Sequence, residues 1–190
     1  MRVIAGKAKG RNLIAPEGMD TRPITDAIKE ALFSMWHFDI PGSRFLDLFS
    51  GSGSIGIEAI SRGAEKAVFV ENSRKAVAVI NQNLTNCRFQ PQAKVYQDDV
   101  FAVIKRLDAS GEQFDLIFLD PPFTVDEIFH PVIEAVGDTE ILAEDGMLGI
   151  RTRKEKDMPD EVGCLVKYKE KTYGISTIHF YERKSEENEE

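Results

Sequence analysis

The run Phe45-Leu46-Asp47-Leu48-Phe49-Ser50-Gly51-Ser52-Gly53-Ser54-Ile55-Gly56 leaves the chain little choice of fold. Apolar residues from Arg44 to Phe49 read as a buried strand, and the glycines that follow read as a tight turn entering a helix. Glycine accepts a left-handed backbone and lets a ligand approach without a Cβ in the way. A strand, a glycine turn and a helix in that order open a βαβ unit, whose crossover is right-handed and whose sheet is parallel.

The chain then keeps alternating. Ile55 to Ser61 suits a helix, Ala67 to Val70 a strand, and Ser73 can cap a helix to Leu84. A strand over Ala93 to Tyr96 precedes a helix from Val100 to Leu107. Asp115 to Leu119 is a further strand, followed by a helix from Asp126 to Val136. Upstream, Thr25 can cap a helix whose Ala27, Ile28, Ala31, Leu32, Met35 and Trp36 recur at helical spacing, with Trp36 expected in the core. Downstream the style changes. Met147 to Arg151, Val162 to Lys169 and Ile175 to Tyr181 read as strands, the last two forming an antiparallel hairpin through Lys171 to Gly174. The expected fold class is α/β, Rossmann-like, with a mostly parallel sheet covered on both faces. One domain over 1–184 is expected. Within it residues 1–24 are expected to form a basic N-terminal arm of loops with a short hairpin; after it, 185–190 are expected to form a solvated, disordered acidic tail.

The net charge of −8 argues against a simple nucleic-acid binder. The distribution softens this: Arg2, Lys7, Lys9 and Arg11 stand in the first eleven residues without an acid, while the tail carries four glutamates. Further basic stretches hold Arg151, Arg153, Lys154 and Lys156, then Lys167, Lys169 and Lys171, and read equally well as solvated surface. No apolar run is long enough to span a membrane. Cys87 and Cys164 have no metal-type spacing, and no Cys/His cluster suggests zinc, so no metal is expected and a reducing cytoplasm is the natural setting. His37, His130 and His179 are expected to be structural or surface residues.

Two further features carry chemistry. Asp120-Pro121-Pro122-Phe123 follows the apolar strand and so lies at a strand's carboxyl end, where open α/β sheets bind ligands. Asp120 can accept one N–H of an exocyclic amine, the Pro121 carbonyl the other, and Phe123 can stack on the ring. A plain turn uses the same residue types. At the glycine turn, Ser50, Gly51 and Gly53 can cradle a cofactor, and Glu71, twenty residues after Gly51, can accept from two ribose hydroxyls. This pattern also fits a dinucleotide fold. Asp47 favours S-adenosylmethionine, since a carboxylate there can face an ammonium but would repel a pyrophosphate. Asp99 can accept from an adenine amine while the Val100 N–H donates to the ring; Asp98 is a rival, and helix capping is the plain alternative.

Asp47 to Glu58 and Asp120 to Phe123 resemble class I methyltransferases that modify exocyclic amines. The N-terminal stretches Arg2-Val3-Ile4-Ala5-Gly6-Lys7-Ala8-Lys9-Gly10-Arg11, Thr21-Arg22-Pro23-Ile24-Thr25-Asp26 and Lys29-Glu30-Ala31-Leu32-Phe33 are more specific. They are similar to the RsmD family, bacterial 16S ribosomal RNA guanine-N2 methyltransferases. The resemblance runs from Arg2 to about Tyr181. It implies a seven-stranded sheet with its last strand antiparallel, S-adenosylmethionine as cofactor, and ribosomal RNA or an assembling small subunit as partner of a monomeric, cytoplasmic enzyme. Ile24 departs from the family's usual second threonine. In this reading Lys7, Lys9, Arg11 and Arg22 contact RNA phosphates. Alternatives at this point are an adenine-N6 or other amine methyltransferase, a non-catalytic RNA-binding assembly protein, and a nicotinamide-dependent oxidoreductase.

Overall fold

The computed structural model describes residues 1–18 and 24–185. Arg22 and the acidic end of the tail, 186–190, lie outside the described residues. Thr25 caps α1 (Asp26–Met35), its hydroxyl accepting from the Ile28 N–H at 3.3 Å, with Asp26 supplying charge that suits a helix N-terminus. There follow β1 (Arg44–Leu48), α2 (Ser54–Ser61), β2 (Lys66–Glu71), α3 (Arg74–Cys87), β3 (Ala93–Gln97), α4 (Val100–Ala109), β4 (Phe114–Leu119), α5 (Phe129–Gly137), β5 (Leu142–Arg153), β6 (Glu161–Val162), β7 (Leu165–Tyr173) and β8 (Ser176–Arg183). The strands form one sheet in the order β3-β2-β1-β4-β5-β8-β7-β6. Pairing is parallel from β3 to β5, and β8, the last strand, inserts antiparallel between β5 and β7.

Period-2 alternation assigns each strand residue to one of two cores. Phe45, Phe69, Leu116, Phe118, Ile178 and Phe180 face α1, α2 and α3. Leu46, Leu48, Val68, Val70, Ile117, Leu119 and Tyr181 face α4 and α5. Burial on both faces explains why β4 reads as an unbroken apolar run. Trp36 is fully buried, edge-on to Phe45 and Phe180 with ring centroids 6.2 and 6.0 Å away.

Three elements differ from expectation. The strand expected over Val162 to Lys169 is broken at Gly163 (φ +55°), leaving the two-residue β6 and making an eighth strand beside the seven long ones. The helix expected from Asp126 starts as a 3-10 turn, Asp126–Ile128, before α5. β5 begins five residues early, with a register shift between Phe114 and Leu116 that absorbs the polar segment Glu144 to Gly146. Among the described residues no helix is long and apolar enough to cross a membrane.

The first fourteen residues are docked rather than loose. The Val3 N–H donates to the Arg11 carbonyl and the Leu13 N–H to that of Met1, forming the expected short hairpin, and Val3, Ala8 and Leu13 are buried. A buried polar latch ties this hairpin to α1 and α2. Glu58, fully buried, accepts from the N–H groups of Ile4 and Ala5 at 2.9 and 3.1 Å and from Arg62 at 2.8 Å. Lys29 Nζ lies 3.3 Å from Glu58 and donates to Ser54 Oγ and the Arg2 carbonyl, both at 2.8 Å. Burial lowers the Lys29 pKa against the opposing pull of Glu58.

Candidate active site

The order of the sheet reverses at β1, which is flanked by β2 and β4. Crevices at such a switch point, outside the carboxyl ends of parallel strands, are where α/β sheets bind ligands. A cleft of about 690 Å³ opens there, a size that suits a nucleoside-type ligand. It receives Asp47 from β1, Glu71 from β2, Asp99 and Val100 at the start of α4, and Asp120, Pro121 and Phe123 after β4.

The glycine turn is held by its own side chains. Ser50 Oγ donates to the Asp47 carbonyl at 2.7 Å and accepts from the Val70 N–H at 3.1 Å, joining the turn to β2. Gly51 (φ +56°) lines the cleft with open space where a Cβ would stand. Gly53 does not line it: it is the left-handed N-cap of α2, and a Cβ there would press on Ile80 and Phe69. Gly56 lets α2 approach β2, because a Cβ would lie 2.3 Å from the Phe69 ring.

Asp47 is 1% exposed, and its Oδ2 accepts from the Gly56 N–H at 3.1 Å. Burial pushes its pKa up to about 8, opposed by the Gly56 hydrogen bond and reinforced by the charges of Asp120 and Glu71. Glu71 spends one acceptor position of each oxygen on the backbone, taking the Gly51 N–H at 3.2 Å and the Ser73 N–H at 2.8 Å. A carboxylate has about four acceptor positions, so lone pairs remain for hydroxyls. Asp99 does cap α4, its Oδ2 accepting from the Ala102 N–H at 3.1 Å, yet it also lines the cleft. Asp98 does not line it and bonds the Asp99 N–H instead. Val100 is the first residue of α4, and a first-turn N–H has no partner within its helix.

Asp120 ends the ladder. Its N–H donates to the Leu48 carbonyl at 3.3 Å, and Pro121 and Pro122 cannot continue the pairing. Its carboxylate is engaged by a residue of the basic stretch Arg151 to Lys156, for which the sequence suggests no role in the site. Arg151, 7% exposed, donates from Nε to Oδ1 at 2.8 Å and from Nη2 to Oδ2 at 2.9 Å. Its guanidinium carbon also lies 5.2 Å from the Phe123 ring centroid, with that of Arg153 at 5.9 Å. The signal that could have found it is register. Ile150 pairs with Leu119, so Arg151 and Asp120 leave neighbouring strands side by side.

Other expected site residues lie elsewhere. Lys7, Lys9 and Arg11 are exposed and none lines the cleft; Arg11 reaches the Asn86 carbonyl near the end of α3, at 3.4 Å. The arm instead lends the cleft Met1, Ala15 and Pro16. No histidine lines it: His179 is buried beside Thr152, and His130 meets the Asp157 carbonyl.

Among the described residues lining the cleft, the basic ones are Arg151 and Arg153, both at the Phe123 end. The glycine-turn end is lined by acids. Those acceptors suit a ligand with cationic and hydroxyl groups and disfavour a pyrophosphate.

Known proteins give the arrangement a family. The family described as "Conserved hypothetical protein 95" matches residues 1–182. The "Putative rRNA methyltransferase YlbH" of Bacillus subtilis is 37% identical over 184 residues, covering 97% of this chain and all of the relative. The "Ribosomal RNA small subunit methyltransferase D" of Haemophilus influenzae is 32% identical, covering 96% of this chain and 93% of its own. A solved structure of a conserved hypothetical protein from Streptococcus pyogenes is 37% identical with a TM-score of 0.74, covering 82% of this chain and 95% of that one. With a match that spans nearly every residue from the basic arm to β8, the chain belongs to the family of conserved hypothetical protein 95, the RsmD-type methyltransferases that its sequence resembles.

Proposed function

We propose that the protein transfers a methyl group from S-adenosylmethionine to the N2 amine of a guanine in small-subunit ribosomal RNA. The observation that carries this reading is the shared cleft: Asp120, Pro121 and Phe123 open onto the same space as Asp47, Gly51 and Glu71. The names of the relatives, ribosomal RNA methyltransferases from end to end of the chain, support the substrate class.

S-adenosylmethionine supplies an electrophilic methyl on a sulfonium. Glu71 accepts from its ribose hydroxyls, Asp99 and the Val100 N–H take the adenine, and Asp47 faces the ammonium. Ser50 and Gly51 shape the turn beneath it. At the other end Phe123 stacks a base taken out of its helix. Asp120 and the Pro121 carbonyl accept from the two hydrogens of the amine. The amine's lone pair is delocalised into the ring, and bonds to both hydrogens favour a more tetrahedral nitrogen whose lone pair can face the methyl. As the N–C bond forms, the C–S bond breaks to leave the neutral thioether S-adenosylhomocysteine, and the proton shed by the amine passes to Asp120; positioning and placed dipoles supply most of the catalysis. Exposed Lys7 and Lys9, with Arg11, contact RNA phosphates outside the cleft, and Arg22 is a further phosphate contact. The enzyme acts as a monomer in the cytoplasm, where small subunits assemble.

Single-turnover methyl transfer with saturating cofactor, followed by mass analysis of the nucleosides, tests this. Asp120→Ala should abolish most turnover while cofactor affinity holds. Asp120→Asn, which keeps one acceptor oxygen, should retain more if positioning dominates. Near-normal rates in Asp120→Ala, or a product methylated elsewhere than guanine N2, would overturn the reading.

A further inference from the structure

Arg151 stands where the base is needed. Its fork occupies both oxygens of Asp120 at 2.8 and 2.9 Å, and its flat guanidinium lies over Phe123. The side chains of the pair are only 9% and 20% exposed, so a base cannot reach Asp120 and stack on that ring without moving it. Guanine contains the same chemical unit. Its N1–H and N2 amine form two parallel N–H donors on one edge of a flat π-system, as Nε and Nη2 of arginine do. Adenine offers its N6 amine beside a ring-nitrogen acceptor, which would set a lone pair against a carboxylate oxygen.

We propose that Arg151 is a built-in surrogate for the substrate base, holding Asp120 and covering Phe123 until a base with the same two-donor edge displaces it. The residue thereby selects guanine over adenine. This rests on the assignment of Asp120 and Phe123 to the base, given above. Arg151 is a positioning residue in this scheme. In the free protein it fixes the rotamer of Asp120 and offsets the charge that Asp120 presents to Asp47. Its departure leaves the carboxylate already shaped for paired donors.

Calorimetry on the full chain, with S-adenosylhomocysteine present, can read the exchange. Guanosine, adenosine and methylguanidine serve as probes of wild type, Arg151→Ala and Arg151→Lys. Guanosine should bind Arg151→Ala roughly tenfold more tightly than wild type, the scale of a bidentate pair that no longer has to be broken first. Adenosine should not gain. Methylguanidine should bind Arg151→Ala, compete there with guanosine, and leave wild type untouched. Arg151→Lys keeps the charge without the fork and should show a smaller gain with the same preference, which preserves the test if the alanine variant does not fold. Equal gains for both nucleosides, no gain, or failure of methylguanidine to compete would overturn the proposal. Mass analysis of the wild-type RNA product separates this outcome from failure of the function itself, since methylguanidine reports the seat of Arg151 whichever base is modified.

Discussion

Burial raises the Asp47 pKa to about 8, so cofactor binding should release a proton if Asp47 receives the ammonium as proposed. An ammonium facing Asp47 favours the ionised form, so binding near pH 7 should expel close to one proton, about the full occupancy of the site. At about pH 9 the free carboxyl is already ionised and the release should vanish. Calorimetry in buffers of different ionisation enthalpy measures this directly, and equal release at both pH values would rule it out. The sign for stability is opposite to that of a salt-bridged aspartate. The folded chain holds the proton more tightly than the unfolded one, so Asp47 costs stability as pH rises from 3.8 through about 8. Asp47→Asn should lose that slope. At this scale the sequence was partly legible. Glu71, Asp99 and Asp120 all fall in the cleft because strand ends are readable from apolar runs. Arg151 was hidden because Arg153, Lys154 and Lys156 beside it look like one solvated stretch, and only the β4–β5 register separates it from them.

At the scale of elements, the turn between β1 and α2 divides its glycines by task, and substitution should tell them apart. Alanine normally stabilises a helix position by about 1 kcal/mol over glycine. At Gly56 the sign should reverse, since the new Cβ would meet the buried Phe69 ring, and overpacking of this kind costs about 1–3 kcal/mol. Gly51→Ala meets nothing within 4 Å and faces only the left-handed backbone, a cost of about 1–2 kcal/mol. Chemical denaturation should therefore rank Gly56→Ala below or level with Gly51→Ala in stability, while cofactor affinity should suffer more in Gly51→Ala. A stabilised Gly56→Ala would show that α2 can retreat from β2. The elements themselves were legible from period and caps: Thr25 and Ser73 each cap the helix expected of them, and Asp99 caps α4, the plain alternative to its adenine role. What was not legible was the break at Gly163 and the early start of β5, where polar residues are carried on strands by pairing rather than by their own propensity.

Across the whole molecule, the sheet brings the cleft together from β1, β2, β4 and β5, with the arm laid over one side. The parallel sheet was legible because its alternation repeats; the docking of the arm was not, because its partners lie far along the chain. Ile4, Ala5 and Ala8 bond to Glu58 and Ser61, and Ile14 bonds to Asn83. The arm adds no strand to the sheet and bonds to α2 and α3 only once these stand in place, so the residues made first should be the last to settle. Glu58→Gln should remove about 3–5 kcal/mol by leaving Lys29 buried without its partner, and the loss should appear as faster unfolding with the folding rate nearly unchanged. Trp36 is the one tryptophan, and its fluorescence follows the core. In refolding, that signal should reach its native value before the chain can bind S-adenosylhomocysteine, because Met1, Ala15 and Pro16 complete the cleft only when the arm arrives. Binding competence that rises in step with Trp36 would mean that the arm docks with the core. A late arm gives the nascent chain a folded but inactive interval, during which it could not yet compete with mature enzyme for its cofactor.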